Sequence, residues 1–129
     1  MIKNPKIPEN YQAVMPYLIV KNAAQFISFM QTVFNATETY KAMRDEHTIM
    51  HAEIMIGGST IMFADSTDVY GVRNAGMFIY VDDADETFKR AIDNGASVVN
   101  EVTDQSYGRS GGVQDPFGNT WWVTSISKE

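Results

Sequence analysis

His51 and Glu53 stand two residues apart in the run Ile49-Met50-His51-Ala52-Glu53-Ile54-Met55-Ile56. An imidazole beside a carboxylate can share a proton, relay it, or hold part of a metal ion's shell. Strand alternation puts both on one face, with Ala52, Ile54 and Ile56 on the other. The apolar face suits packing on helices, so the pair is expected to point to the concave side of a sheet. Three roles stay open: a hydrogen-bonded polar pair lining or rimming a cavity, a general acid/base, or part of a divalent-metal site. Two ligands do not complete a metal site, and His47 is too loosely placed to be a third. Polar groups inside a cavity need partners, which is itself a reason for the two to occur together.

Arg109 lies in Tyr107-Gly108-Arg109-Ser110-Gly111-Gly112. Glycines there expose backbone N–H groups, and one arginine beside them could grip a carboxylate or phosphate with two hydrogen bonds. The spacing is not that of a nucleotide phosphate loop. The alternative is an ion pair with Asp104 or Asp115 and a tight turn made by the glycines. Asp82, Asp83, Asp85 and Glu86 lack calcium-loop spacing and read as helix-cap and first-turn acids. The chain has no cysteine, which removes thiol nucleophiles, disulfides and cysteine-ligated zinc and fits a cytoplasmic protein.

The elements that must position these groups follow from the hydrophobic pattern. Residues 1–12 are polar, hold two prolines and read as an extended arm. Ala13 to Val20 reads as a strand, and Asn22 as the cap of a helix with the stripe Ala23, Phe26, Ile27, Met30, Val33, Phe34. Strands follow over Thr37 to Met43, Thr48 to Ile56 and Ser59 to Ala64, the last two joined by the hairpin signal Gly57-Gly58. After a polar loop at 65–75 the order begins again. Gly76 to Asp82 is a strand, and Asp83 caps a helix ended by Asn94-Gly95. Ser97 to Thr103 is a strand, Tyr107 to Gln114 a glycine-rich strand or loop, and Asn119 to Ile126 the last strand. Val20 falls on Val81, and Gly58-Ser59-Thr60 on Gly118-Asn119-Thr120 at a spacing one residue shorter. The order βαβββ–βαβββ therefore reads as an internal duplication.

With 129 residues the chain is long enough for one domain, and a 44% hydrophobic, 12% aromatic composition gives it a core. Its net charge of −6 is the wrong sign for a nucleic-acid partner. No apolar run approaches the roughly 20 residues that cross a bilayer, so no membrane role is expected.

Three segments together carry a resemblance: Met15-Pro16-Tyr17-Leu18-Ile19-Val20 running into a helix, Tyr80-Val81-Asp82-Asp83-Ala84-Asp85, and Tyr107-Gly108-Arg109-Ser110-Gly111 followed by Asp115-Pro116-Phe117-Gly118-Asn119-Thr120-Trp121. In these the chain resembles the vicinal oxygen chelate superfamily of glyoxalases, bleomycin-resistance proteins and extradiol dioxygenases, in particular its PhnB-like branch. The likeness spans nearly everything after residue 12. It implies an α+β fold of two βαβββ modules whose curved mixed sheets enclose a cavity, within one domain over 1–129: an arm at 1–12 and modules at 13–65 and 76–127. It also implies a homodimer. Fold membership leaves open an enzyme or a protein that only sequesters a compound.

Metal-dependent relatives place ligands on the first and fourth strands of each module. Carried over, those positions fall on Met15, Met62, Gly76 and Trp122, none suited to a hard or borderline divalent ion. No metal and no cofactor is therefore expected. Alternation makes the inward list Met15, Tyr17, Ile19, Met62, Ala64, Phe78, Tyr80, Trp122 and Thr124, an apolar, aromatic and thioether wall of the kind that lines ligand pockets. The expected function is metal-independent binding of a small apolar or aromatic molecule. Met15, Tyr17, Met62, Phe78, Tyr80 and Trp122 would contact it, and His51, Glu53 and Arg109 would anchor it. The competing expectation is a lyase, isomerase or dioxygenase with a relocated site at His51 and Glu53.

Overall fold

The computed structural model describes residues 2–126, so both ends of the expected domain, residue 1 and residues 127–129, lie outside the described residues. The element order is β1 (Tyr17–Val20), α1 (Ala23–Phe34), β2 (Thr37–Met43), β3 (Ile49–Ile56), β4 (Ser59–Asp65), β5 (Gly76–Tyr80), α2 (Ala84–Asp93), β6 (Ser97–Gln105), β7 (Gly108–Gln114) and β8 (Thr120–Ser125). This is βαβββ twice, as the pattern predicts. Each module forms one four-stranded mixed sheet, β1-β4-β3-β2 and β5-β8-β7-β6. The first strand pairs parallel with the fourth, and the other pairs are antiparallel. The two sheets do not close on one another within the chain.

Alternation sorts the two faces as expected. Leu18, Val20, Ala52, Ile54, Ile61, Phe63, Val113, Trp121 and Val123 are buried on the helix side. There they meet the α1 stripe, including Phe26, Met30 and Val33, in one core that serves both modules. Phe26 packs edge-on against Phe63 (4.9 Å) and against Phe117 of the second module (5.4 Å), and Phe34 packs on Trp121 (4.7 Å). Each such ring contributes about 1.5–3 kcal/mol by leaving water. The modules are thus held together by their helix sides, and their other faces stay open.

The helix starts differ from one another. Asp83 caps α2, accepting from Glu86 N as its sequence position suggests. Asn22 does not cap α1 with its side chain: its backbone is left-handed (φ 61°), which turns the side chain away. Asp65, at the end of β4, takes the role. One of its oxygens accepts from Ala23 N (2.8 Å) and the other from Ile49 N (2.7 Å). At the matching place in the second module, Ser125 Oγ accepts from Ala84 N (3.0 Å).

The expected first strand is also shortened. It begins at Tyr17, because Pro16 has no N–H to give a ladder. Pro16 O still accepts from Met62 N (3.0 Å). Beyond it the Gln12 side chain continues the edge, donating to Thr60 O (2.7 Å) and accepting from Thr60 N (3.2 Å). The arm is therefore bound along the sheet edge rather than free of it.

Candidate functional site

On the open face of the first sheet, register sets Tyr17, Met62, Glu53 and Tyr40 in one row across β1, β4, β3 and β2. The row expected to start at Met15 starts at Tyr17 instead. Met15 lies before the strand, in a hollow of about 390 Å³ with Pro8, Tyr11 and Met62. One step along the strands lie Ile19, Ala64, His51 and Ala42. His51 and Glu53 thus face the open side, as their spacing predicts.

They are joined there. His51 Nε2 lies 2.7 Å from Glu53 Oε2, and His51 Nδ1 lies 3.1 Å from the Tyr17 hydroxyl. Glu53 Oε1 accepts from the Tyr11 hydroxyl at 2.5 Å. Tyr17 and Tyr40 stand on either side of the imidazole, with ring centroids 5.4 and 5.9 Å from it. Glu53 is 7% exposed. Burial pushes its pKa up, but the hydrogen bonds from Tyr11 and His51, with the charge His51 can carry, outweigh this, and the net shift is downward. The same carboxylate raises the Tyr11 phenol, chiefly by accepting its hydrogen bond. Tyr11 and Gln12 were not foreseen from the sequence. They sit in the polar arm and meet partners more than forty residues away, and no local pattern signals such contacts.

The open face of the second sheet is aromatic. Register sets Phe78, Trp122, Gly112 and Asn100 in one row and Tyr80, Thr124, Ser110 and Thr103 in the next. Phe78 is 49% and Trp122 39% exposed, whereas the neighbouring Trp121 is 1% exposed. Phe78 touches both Tyr80 (5.2 Å) and Tyr107 (6.0 Å). Trp122 lies across the strands because its neighbours are glycines. A Cβ at Gly76 would stand 2.9 Å from one end of the indole, and one at Gly112 3.2 Å from the other. Gly76 and Gly112 thus form the bed of Trp122 on this face, and Tyr107 joins it through its contact with Phe78.

Arg109 is not brought to either open face. Alternation gives that side of β7 to Ser110, whose hydroxyl pairs with Thr124 (2.8 Å). Arg109 turns toward α2 and is held by Asp85 through two nitrogens and by Asp104 (3.1 Å). Asp104 is one of the two acids weighed from the sequence. The Arg109 hydrogen bond lowers the Asp85 carboxyl, and the guanidinium is correspondingly raised, by Asp85 first and then Asp104. The other acid, Asp115, is a structural hub. Buried in the turn before β8, it accepts from Phe117 N, Asn119 N, Asn119 Nδ2 and Trp121 Nε1. Between the modules, a groove of about 370 Å³ runs beside Gln12, Ile61, Phe78, Tyr80 and Trp121.

The glyoxalase/bleomycin resistance protein/dioxygenase superfamily model matches residues 12–123, and the chain belongs to that superfamily. An uncharacterized protein of Mycobacterium bovis is 33% identical over 121 residues, covering 84% of this chain and 80% of that protein. Among solved structures, a PhnB protein from Bacillus cereus superposes with a TM-score of 0.74 at 16% identity, over 89% of this chain and all of that one. The fosfomycin resistance protein FosX of Listeria monocytogenes, solved with Mn(II) and sulfate, gives 0.68 at 19% identity, over 90% of each chain. TnmS3, an antibiotic binding protein from Streptomyces, gives 0.68 at 16% identity, over 91% of this chain and all of that one. These likenesses show the fold, and the family model carries the superfamily.

A fold shared with a Mn(II) protein raises the question whether these side chains suit a metal. The register-matched positions on the first and fourth strands carry Tyr17, Met62, Phe78 and Trp122. A phenol, a thioether and two aromatic side chains are a poor set for Mn(II), which takes carboxylate, imidazole and water. Among the described residues, no three His, Asp or Glu side chains gather in one place. Both His51 nitrogens already have partners. The donor set does not fit a divalent ion.

Proposed function

We propose that the protein binds a small apolar or aromatic molecule without a metal. The observation that carries this reading is the open aromatic face of Phe78, Tyr80, Tyr107 and Trp122. Contiguous exposed rings on a sheet mark a surface that something covers, and a flat indole offers a stacking area to a planar compound. Tyr17 and Met62 extend the surface on the first sheet, and the half-exposed Tyr17 hydroxyl, held in place by His51 with Glu53 behind it, gives it a polar anchor. A single chain leaves both faces open, so we further propose a homodimer in which the first sheet of one copy closes over the second sheet of the other. No helix among the described residues is long and apolar enough to cross a membrane. With net charge −6 and no cysteine, the reading is of a cytoplasmic protein with a small-molecule partner and no nucleic-acid one.

Fluorescence titration with a panel of planar aromatic compounds tests the binding. A ligand stacking on Trp122 quenches emission, Trp122→Phe removes the response, and Trp121, being buried, reports only on folding. No response from the native protein to any compound sinks the reading. Sedimentation velocity tests the assembly, and a monomer at micromolar concentration rules the closed cavity out.

A further inference from the structure

The polar arm encloses a space of its own. The chain turns at Asn10, whose backbone is left-handed (φ 69°), and Tyr11 N donates to Pro8 O (3.2 Å) across the turn. The turn is tied to the first sheet on several sides. Thr60 Oγ1 donates to Asn10 O (2.5 Å), the Gln12 amide pairs with both backbone groups of Thr60, and the Tyr11 hydroxyl donates to Glu53. Residues 5–8 are thereby held as one wall of the hollow of about 390 Å³, with Met15 and Met62 in the other. That volume lies within the roughly 300–1,000 Å³ of small-molecule sites. Pro5 and Pro8 stiffen the arm's wall, because a fixed φ leaves less freedom to lose when a ligand is bound.

The lining differs in kind from the second sheet. Pro5, Ile7 and Pro8 of the arm and the half-buried thioethers of Met15 and Met62 make its walls aliphatic, and Tyr11 is the one ring among the described lining residues. Such walls suit a flexible chain, to which methionine adapts, better than a planar ring system. Of the polar side chains in the lining, Tyr11 and Gln12 already have their partners. Lys6 has none among the described residues. The acid behind Tyr11, Glu53, turns its two oxygens to Tyr11 and His51 and offers none to the hollow. A ligand here therefore meets apolar walls and one unmatched positive charge. We propose that this hollow is a second ligand site, which takes a free, unbranched aliphatic carboxylate with its chain on Met15 and Met62 and its carboxylate on Lys6. The site does not rest on the aromatic face. Met62 is the residue that it shares with the open face of the first sheet.

Octanoate is the probe, with octanol and octyltrimethylammonium as neutral and cationic forms of the same chain, each titrated calorimetrically. Octanoate should bind tightest and the cation weakest. Its advantage over octanol should be about two- to fivefold, the size of an exposed ion pair. Hexanoate, two methylenes shorter, should bind about tenfold or more weakly than octanoate, at about fourfold per buried methylene. Lys6 lies in the exposed arm and makes no contact that the fold needs. Lys6→Met keeps the apolar stem, so it should leave the melting temperature unchanged and make octanoate and octanol bind alike. Lys6→Glu should reverse the order of the two charged probes. Methionine methyl NMR places the chain, with the Met15 and Met62 signals moving as octanoate is added. No binding of octanoate, affinity that does not depend on chain length, or an undiminished preference for octanoate over octanol in Lys6→Met overturns the proposal. Octanoate that shifts the Trp122 indole signal and leaves Met15 and Met62 unmoved also overturns it, while supporting the aromatic face as a binding surface. Planar aromatic compounds that fail to bind, with octanoate still bound at Met15 and Met62, would remove that other reading and leave this site standing.

Discussion

The two modules share one backbone plan and use it for opposite purposes. Row for row, Tyr17, Met62 and Glu53 of the first sheet correspond to Phe78, Trp122 and Gly112 of the second. His51 and Ala64 correspond to Ser110 and Thr124. Where the first sheet has a carboxylate, the second has a glycine that leaves room for an indole. One face is a hydrogen-bonded polar network edged by tyrosines, and the other is a bare aromatic surface. A duplicated fold specifies which positions point to the open side and leaves their chemistry free. The turns between the third and fourth strands diverge too. The first is the two-residue Gly57-Gly58 hairpin, with both φ values positive. The second is a longer turn organised by Asp115, with Gly118 in a left-handed conformation (φ 98°) against the Asn74 side chain, which would have to move to admit a Cβ.

That last difference gives the largest expected effect. Asp115→Ala strips four donors of their acceptor inside the core, at about 1–3 kcal/mol for each one left buried and unpaired. Partial relaxation makes the expected net loss about 3–5 kcal/mol. In the first module, Gly58→Ala meets only backbone strain at an open position, about 1 kcal/mol. Urea unfolding of the two variants measures the contrast, and equal losses would mean that the Asp115 turn is not the firmer of the two.

The next effect concerns the aromatic face. Trp122→Ala removes the stacking area and should weaken an aromatic ligand about tenfold or more, from the 0.5–1.5 kcal/mol of a ring pair plus lost buried area. Gly76→Val tests the same point without removing the ring, because the added side chain must lift the indole. Calorimetric titration of both variants should show weakened binding with little change in stability. On the first sheet, Met62→Ala should weaken the same ligand less.

How far the sequence disclosed this arrangement depended on how local each signal was. Alternation assigned Tyr17, Met62, Phe78, Tyr80, Trp122, His51 and Glu53 to the open faces, because a strand's period needs no tertiary information. Met15 was misplaced because a proline shortens the ladder, and that depends on what the neighbouring strand requires. Asn22 reads as a cap by residue type, yet its left-handed backbone hands the task to Asp65, forty-odd residues on. The repeat held a usable clue, since Asp65 matches Ser125 and both accept from the first helical N–H. Nothing comparable marked Tyr11 or Gln12, whose partners are set by where the arm lies along the sheet edge. Gly76 and Gly112 were legible as glycines but not as the bed of Trp122, which only register reveals.

A smaller effect is expected from Glu53 and depends on pH. Its carboxyl is held below its ordinary value, so the folded state favours the charged form. The resulting stability is present above the unfolded pKa, near 4.5, and is lost as pH falls through the lowered folded value. Glu53→Gln should cost about 1 kcal/mol at neutral pH and flatten stability against pH below about 5. Thermal melts across that range measure it. An acid limb as steep in the variant as in the native protein would show that other carboxylates carry the effect. The second sheet has no counterpart, since its matching residue is Gly112, and Gly112→Ala should leave the acid limb unchanged.

The smallest expected effect is also the sharpest test of where the open faces end. Arg109 sits one residue from Ser110 in a glycine-rich strand, and on residue type alone it is the natural anchor for an anionic ligand. The pleat turns it the other way, onto Asp85 of α2 and Asp104 of β6. Its charge is already matched by two carboxylates, and exposed ion pairs of this kind contribute little because water competes for each partner. Arg109→Ala should therefore leave ligand affinity within about twofold of the native value and shift the melting temperature only slightly. A tenfold loss of affinity in that variant would mean that the binding surface wraps around β7 to the helix side, and that the division of each sheet into a core face and a ligand face is drawn in the wrong place.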